Sequence, residues 1–183
     1  MPRPYPIRLA LLLALTINLP LLATSSARAQ VNHATDMASR GLGTKDRQFL
    51  QAAANNGAAE VVMAQMALQQ AKSQQIRQFA QQLLDDHMQI NRELVKLTNL
   101  KQDAQPAKVP AQDSEMQKKL HALHGSDFDQ AYVADMVQAH QNSVIVFTRA
   151  TQESSDPDVK HFATTTLPLL QHHLELAKGL QAR

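Results

Sequence analysis

"IRQFAQQLLDDHMQINRELVKL" (Ile76–Leu97) places apolar residues at 76, 79, 80, 83, 90, 94 and 97, spacings of three and four that lay one oily stripe along an α-helix. His87 falls on that stripe, where such a pattern calls for a leucine. Ser73 stands just upstream as an N-cap, and the periodicity fades at Lys101, so the predicted helix covers about 74–100.

The same period extends in both directions. Upstream, Thr44 is positioned to cap a helix over about 45–72, with Asp46 in its first turn. Its inward stripe is Phe49, Ala53, Gly57, Glu60, Ala64, Ala67 and Ala71, mostly small residues that let a neighbour approach closely. Downstream, "KQDAQPAKVPAQD" (101–113) carries Pro106 and Pro110 and reads as an extended crossover. A short helix over about 114–124 stops at Gly125, suited to the left-handed C-terminal position. "SDFD" (126–129) reads as a capping box that opens a third long helix over about 127–152, with Phe128, Tyr132, Val133, Met136, Val137, His140, Val144 and Phe147 inward. "ESSDPD" (153–158) reads as a solvated turn in which Asp156 caps and Pro157 starts a fourth helix over about 157–181. Val159, Phe162, Ala163, Thr166, Leu170, His173, Ala177 and Leu180 face inward from it, and Pro168 predicts a kink, with Thr164 to Thr166 near the freed backbone groups. The predicted fold is all-α: a four-helix bundle over 44–183 with one long crossover, containing a short helix, between its second and third long helices.

The start of the chain reads differently. Arg3 and Arg8 precede an apolar run from Leu9 to Ala23, and Ala27-Arg28-Ala29 offers a cleavage site, so 1–29 is predicted to be a signal peptide cut after Ala29 and 30–43 a flexible leader. An exported product, periplasmic or secreted, follows, with no membrane span remaining. The full chain holds 18 Lys and Arg against 16 Asp and Glu. Loss of Arg3, Arg8 and Arg28 turns its small positive charge slightly negative, which removes the electrostatic basis for binding nucleic acid. With no cysteine, the chain has neither disulfides nor thiolate ligands, so packing must hold it together.

Each long helix carries one metal-competent side chain on its apolar stripe: Glu60, His87, His140 and His173. At about 1.5 Å per residue, all four lie roughly 20–24 Å from their helix starts, and in alternating helices of about 40 Å they can meet in one mid-bundle layer. Three imidazoles and a carboxylate suit a single transition-metal ion: copper, zinc or iron. Asp86, Asn91, Tyr132, Asp135, Met136 and His172 are placed to orient them. The other reading is a polar layer in which the same side chains bond one another and only fix helix register, as in a structural or stress-related interaction protein. "DDH" (85–87) lacks a nucleophile partner, and the sequence points away from an enzyme. Protein partners are not legible, and a homo-oligomer is compatible with all of this.

"FLQAAANNGAAEV" (49–61), "DDHMQINREL" (85–94), "GSDFDQAYV" (125–133) and "LPLLQHHLELA" (167–177) together resemble the four blocks of the bacterial domain-of-unknown-function family 4142. The resemblance spans about Arg47 to Leu180. It implies an exported protein, of a kind often labelled outer membrane, with a ferritin-like bundle, and Glu60, Asp86, His87, Asn91, Asp129, Tyr132, His140, Pro168 and His173 match its blocks. Ferritin-like di-iron enzymes pair each histidine with a glutamate three residues earlier. Leu84, Val137 and Leu170 occupy those positions here, so the expectation is a mononuclear, histidine-rich site rather than a ferroxidase.

Overall fold

The computed structural model describes residues 41–101 and 115–181. The predicted signal peptide and its cleavage point, most of the leader and nearly all of the proline-containing crossover lie outside the described residues. Five helices follow in order: α1 (Thr44–Gln70), α2 (Gln74–Leu100), the short α3 (Glu115–His121), α4 (Gly125–Glu153) and α5 (Pro157–Gln181). The long helices form two hairpins, α1 with α2 and α4 with α5. The hairpins join through α1 against α4 and, more sparsely, α2 against α5. The fold is an all-α, ferritin-like four-helix bundle, and no described helix is long and apolar enough to cross a membrane.

The apolar interior is divided in two. One cluster gathers Phe49, Leu50, Ile90, Leu94, Leu97, Phe147, Phe162 and Leu170. Within it the rings of Phe49, Phe147 and Phe162 meet at 5.0–6.3 Å. The other cluster gathers Met63, Ala64, Ala67, Phe79, Leu83, Leu120, Phe128, Tyr132 and Met136. The buried polar residues Glu60, His87, His140, Ser143 and His173 belong to neither and lie between them along the helices, with Thr166 two turns from His173. Small residues make the first hairpin tight: a Cβ at Gly57 would run into the Asn91 amide of α2. That close approach is a direct use of the small stripe on α1.

The turns depart from local expectation through long-range capping. Gly125 does adopt a left-handed φ of 62°. Asp129, however, does not close a capping box on its own helix. Its two carboxylate oxygens accept from the amides of Lys72 (3.0 Å) and Ser73 (2.8 Å) in the α1–α2 turn, because two adjacent unpaired amides make a better partner for a carboxylate than one. Ser73 still accepts from Ile76 N at 3.4 Å, and the Arg77 guanidinium donates to the Ala71 and Lys72 carbonyls. At the start of α1 the N-cap is Gly43, with no side-chain bond, and Thr44 is already helical.

Asp46 is 1 % exposed and also reaches across the molecule. It accepts from Ser154 Oγ (2.7 Å), Ser155 Oγ (2.8 Å) and Asp156 N (3.2 Å). The α4–α5 turn is therefore anchored to α1 rather than solvated, a correction that sequence spacing alone could not supply. Asp156 does cap α5, accepting from Asp158 N and Val159 N, while Lys101 Nζ bridges Asp156 and Asp158. α5 runs through Pro168 without a break, and Thr164 and Thr165 donate to the carbonyls of Lys160 and His161 rather than to the carbonyl freed by the proline.

The two hairpins share one register. Glu60 and Ser143 are 83 residues apart and touch, Oγ to Oε1, at 3.5 Å. The same offset carries Asp46 onto Asp129, Phe49 onto Tyr132, Ser73 onto Asp156, Ile76 onto Val159 and Phe79 onto Phe162. In every pair both members do the same job, anchoring the opposite turn, filling the core or capping a helix. The bundle is thus two copies of one hairpin pattern, with the polar layer where the copies meet.

Candidate metal centre

α1, α2, α4 and α5 bring Glu60, His87, His140 and His173 into the layer, each at most 2 % exposed. The three imidazole rings surround one another, with centroids 5.7 Å (His87–His140), 5.4 Å (His87–His173) and 5.3 Å (His140–His173) apart. One nitrogen from each ring lies within 4.8 Å of the other two. Nitrogens on a tetrahedral ion at 2.0–2.1 Å would stand about 3.4 Å apart, so the rings would have to draw closer to share one.

Hydrogen bonding fixes which nitrogen His140 and His173 present. His140 Nδ1 lies 2.9 Å from the Met136 carbonyl, which can only accept, so Nδ1 carries the proton and Nε2 is left without a partner. His173 Nε2 donates to Asp86 Oδ2 at 2.9 Å, leaving Nδ1 without a partner. His87 Nε2 approaches Glu60 Oε2 to 2.6 Å, but off the line of the ring N–H, so this is a close polar contact rather than an aligned hydrogen bond. Glu60 Oε2 also stands 4.0 Å from His140 Nε2. Three rings with inward nitrogens and a carboxylate on their flank form the chemical core of the layer.

Burial sets the charge states. It pushes the His173 imidazole down from the ordinary 6.5 to about 4, against the raising effect of its hydrogen bond to Asp86. Burial likewise lowers His140, and the nearby Glu60 charge only partly offsets it. For Glu60, burial alone would raise the carboxyl, but His87 beside it, with His140 and His173 beyond, brings it below the ordinary range. The layer thus holds Glu60 towards its ionised form and His140 and His173 towards their neutral forms, so a cation placed among them would be favoured.

The remaining predicted positions divide. Asp86 and Met136 hold His173 and His140 through the bonds above. Tyr132 is fully buried, its hydroxyl has no partner among the described residues, and burial and the charge of Glu60 push it well above the usual phenol range. Asn91 presses its amide on Gly57, and its Oδ1 is without a partner. Asp135, raised by burial and lowered by Lys119, feels the short helix. His172 is exposed, though its ring lies 6.4 Å from that of His173. Sequence reasoning passed over Ser143 as a neighbour of Glu60. Its only signal was a small polar residue one turn from His140 on the same face.

A family model described as "Domain of unknown function (DUF4142)" matches residues 29–180. The chain belongs to this family. No curated protein sequence matches it. Among solved structures, this DUF4142 member is similar to a DUF305 fragment from Deinococcus radiodurans, at 16% identity and a TM-score of 0.69, covering 79% of this chain and 99% of the other. It is similar to a DUF305 protein from Streptomyces coelicolor, at 15% identity and a TM-score of 0.66, covering 75% and 92%. CopM in its Cu(II)-bound form matches at 16% identity and a TM-score of 0.64, covering 75% and 95%. At these identities the likeness is one of fold.

Proposed function

We propose that this DUF4142 member is a non-enzymatic, exported metal-binding bundle that takes one transition-metal ion, copper ahead of zinc or iron, on His87, His140 and His173. Glu60 flanks the ion and balances its charge. The observation that carries the reading is the buried histidine trio, in which His140 Nε2 and His173 Nδ1 lack partners while their opposite nitrogens are held by Met136 and Asp86. Neutral imidazoles are what such an ion requires, and burial keeps His140 and His173 neutral. Glutamates are missing three residues before each histidine, which argues against a di-iron oxidase. CopM, a bundle of similar fold, is described in Cu(I)-, Cu(II)- and silver-bound forms, which supports copper over zinc. The N-terminal apolar segment with its A-x-A site supports export to the periplasm or medium.

The test is metal content and affinity of protein prepared without a histidine tag. One equivalent of copper per chain is expected, with each of His87→Ala, His140→Ala and His173→Ala weakening binding by at least about 10- to 100-fold, the loss that follows removal of even an outer partner of a ligand. Substoichiometric binding that ignores all three substitutions would exclude the reading.

A second reading has its own observation. The contact of 2.6 Å between His87 and Glu60 and the 2.9 Å bond between His173 and Asp86 partly satisfy the layer without any ion. On that reading the layer only sets helix register, and His87→Leu keeps the fold and raises stability.

A further inference from the structure

A centre this deeply buried needs a way in. His140 and His173 are fully buried and His87 is 2 % exposed, so no ion reaches them without some part of the bundle giving way. Two other clefts among the described residues end elsewhere. The one between α1 and α4 is lined by Phe49 and Ala150 and stops on the phenylalanine cluster. Another, against α3, is lined mainly by glutamines and residues of the short helix. A cleft of about 230 Å³ between α2 and α5 is different, because Asp86 forms part of its wall. Asp86 is the half-exposed partner of buried His173, so that cleft stops one hydrogen bond short of the histidine trio.

We propose that metal ions enter through this α2–α5 cleft and that Asp86 is its door, a claim that rests on the metal reading above. Three features support it. The cleft's wall carries two carboxylates, Asp86 and Glu93, and two hydroxyls, Thr165 and Thr166, all oxygen donors suited to a hydrated cation. It runs along the seam between hairpins where packing is sparsest, so local opening is easiest there. Release of Nε2 by Asp86 frees the His173 ring to turn, and that ring neighbours both His87 and His140. Asp86 thus has two roles: it orients His173 in the closed layer and, when it lets go, opens the path to it.

The route is tested by filling it. Gln89 lines the cleft from an exposed helix position, where its amide donates to Glu93 at 3.2 Å. Gln138 serves as the control: it is an exposed glutamine on α4 that donates to Asn142 at 3.2 Å, away from the cleft. Stopped-flow loading with aqueous Cu²⁺ is expected to slow by about tenfold in Gln89→Trp, with the equilibrium affinity kept, while Gln138→Trp loads like the wild type. A second measurement needs no metal. Diethyl pyrocarbonate treatment of the metal-free protein, read by mass spectrometry, should label exposed His172 in every variant but His173 only in Asp86→Ala. A wild-type loading rate in Gln89→Trp, or His173 that stays protected in Asp86→Ala, would overturn the route and leave the metal centre standing. Failure of the wild-type chain to take up copper would overturn the metal reading and, with it, the route.

Discussion

The α1–α2 and α4–α5 hairpins are built to one pattern and differ where the chemistry lies. At the 83-residue offset their core positions pair: Ala53 with Met136, Ala67 with Ala150, Phe79 with Phe162, Ala80 with Ala163. At mid-bundle the pairing breaks. His140 stands opposite Gly57, His173 opposite Ile90, His87 opposite Leu170, and Glu60 opposite Ser143. Where one hairpin carries a histidine, the other carries glycine or an apolar residue at the equivalent position. The repeated pattern therefore supplies packing register, and the exceptions supply the site. Each hairpin gives two of the four polar groups.

That comparison can be broken at several points. The largest expected loss of stability is at the anchors. Asp46→Ala removes a buried carboxylate and the partners of Ser154, Ser155 and Asp156 N together. It should cost about 3–4 kcal/mol in urea unfolding, since hydrogen bonds to charge are worth about 1.5–3 kcal/mol each and do not add fully. Its counterpart Asp129→Ala, less buried and holding two turn amides, should cost about 1–2 kcal/mol, the range for loss of a cap. Equal losses would contradict the distinction between a buried and a half-exposed anchor.

Acid should act next, through the second hairpin. His173 is held neutral in the fold, its imidazole lowered from 6.5 to about 4, so as pH falls the unfolded chain takes up the proton first. Stability is then full above about pH 6.5 and is lost as pH falls towards 4, by about 3 kcal/mol for this group at 1.36 kcal/mol per unit. His140 is lowered too and adds in the same direction. Glu60, held below its ordinary 4.5, adds a further loss below that pH. Metal-free protein of constant stability from pH 7 to 4 would contradict neutral His173 and His140 in the folded chain.

The smallest effect lies in the first hairpin, at its closest approach. A Gly57→Ala change should gain up to about 1 kcal/mol of helix propensity, but its methyl group meets the Asn91 amide. Destabilisation in the wild type that turns to stabilisation in an Asn91→Ala background would place the cost in that contact. The same sign in both backgrounds would place it elsewhere.

Much of this architecture was legible in the chain. Spacings of three and four revealed the long helices, and counting along them brought Glu60, His87, His140 and His173 to one height, where the structure gathers them. What sequence could not reveal was choice among distant partners. Asp46 and Asp129 each look like first-turn caps, yet each serves a turn of the other hairpin. Asp86 and Asn91 both neighbour His87 on α2, yet Asp86 bonds His173 and Asn91 fits against Gly57. Such pairings depend on how hairpins face each other, which local periodicity does not encode.

The central claim is that three imidazoles share one metal ion. Electron paramagnetic resonance of protein loaded with one equivalent of Cu²⁺ tests it directly. The account predicts a single species coupled to nitrogens of three imidazoles, with one fewer in each of His87→Ala, His140→Ala and His173→Ala. A signal unchanged by those substitutions, but altered by loss of His33, His121, His124, His161 or His172, would place the ion elsewhere and contradict it.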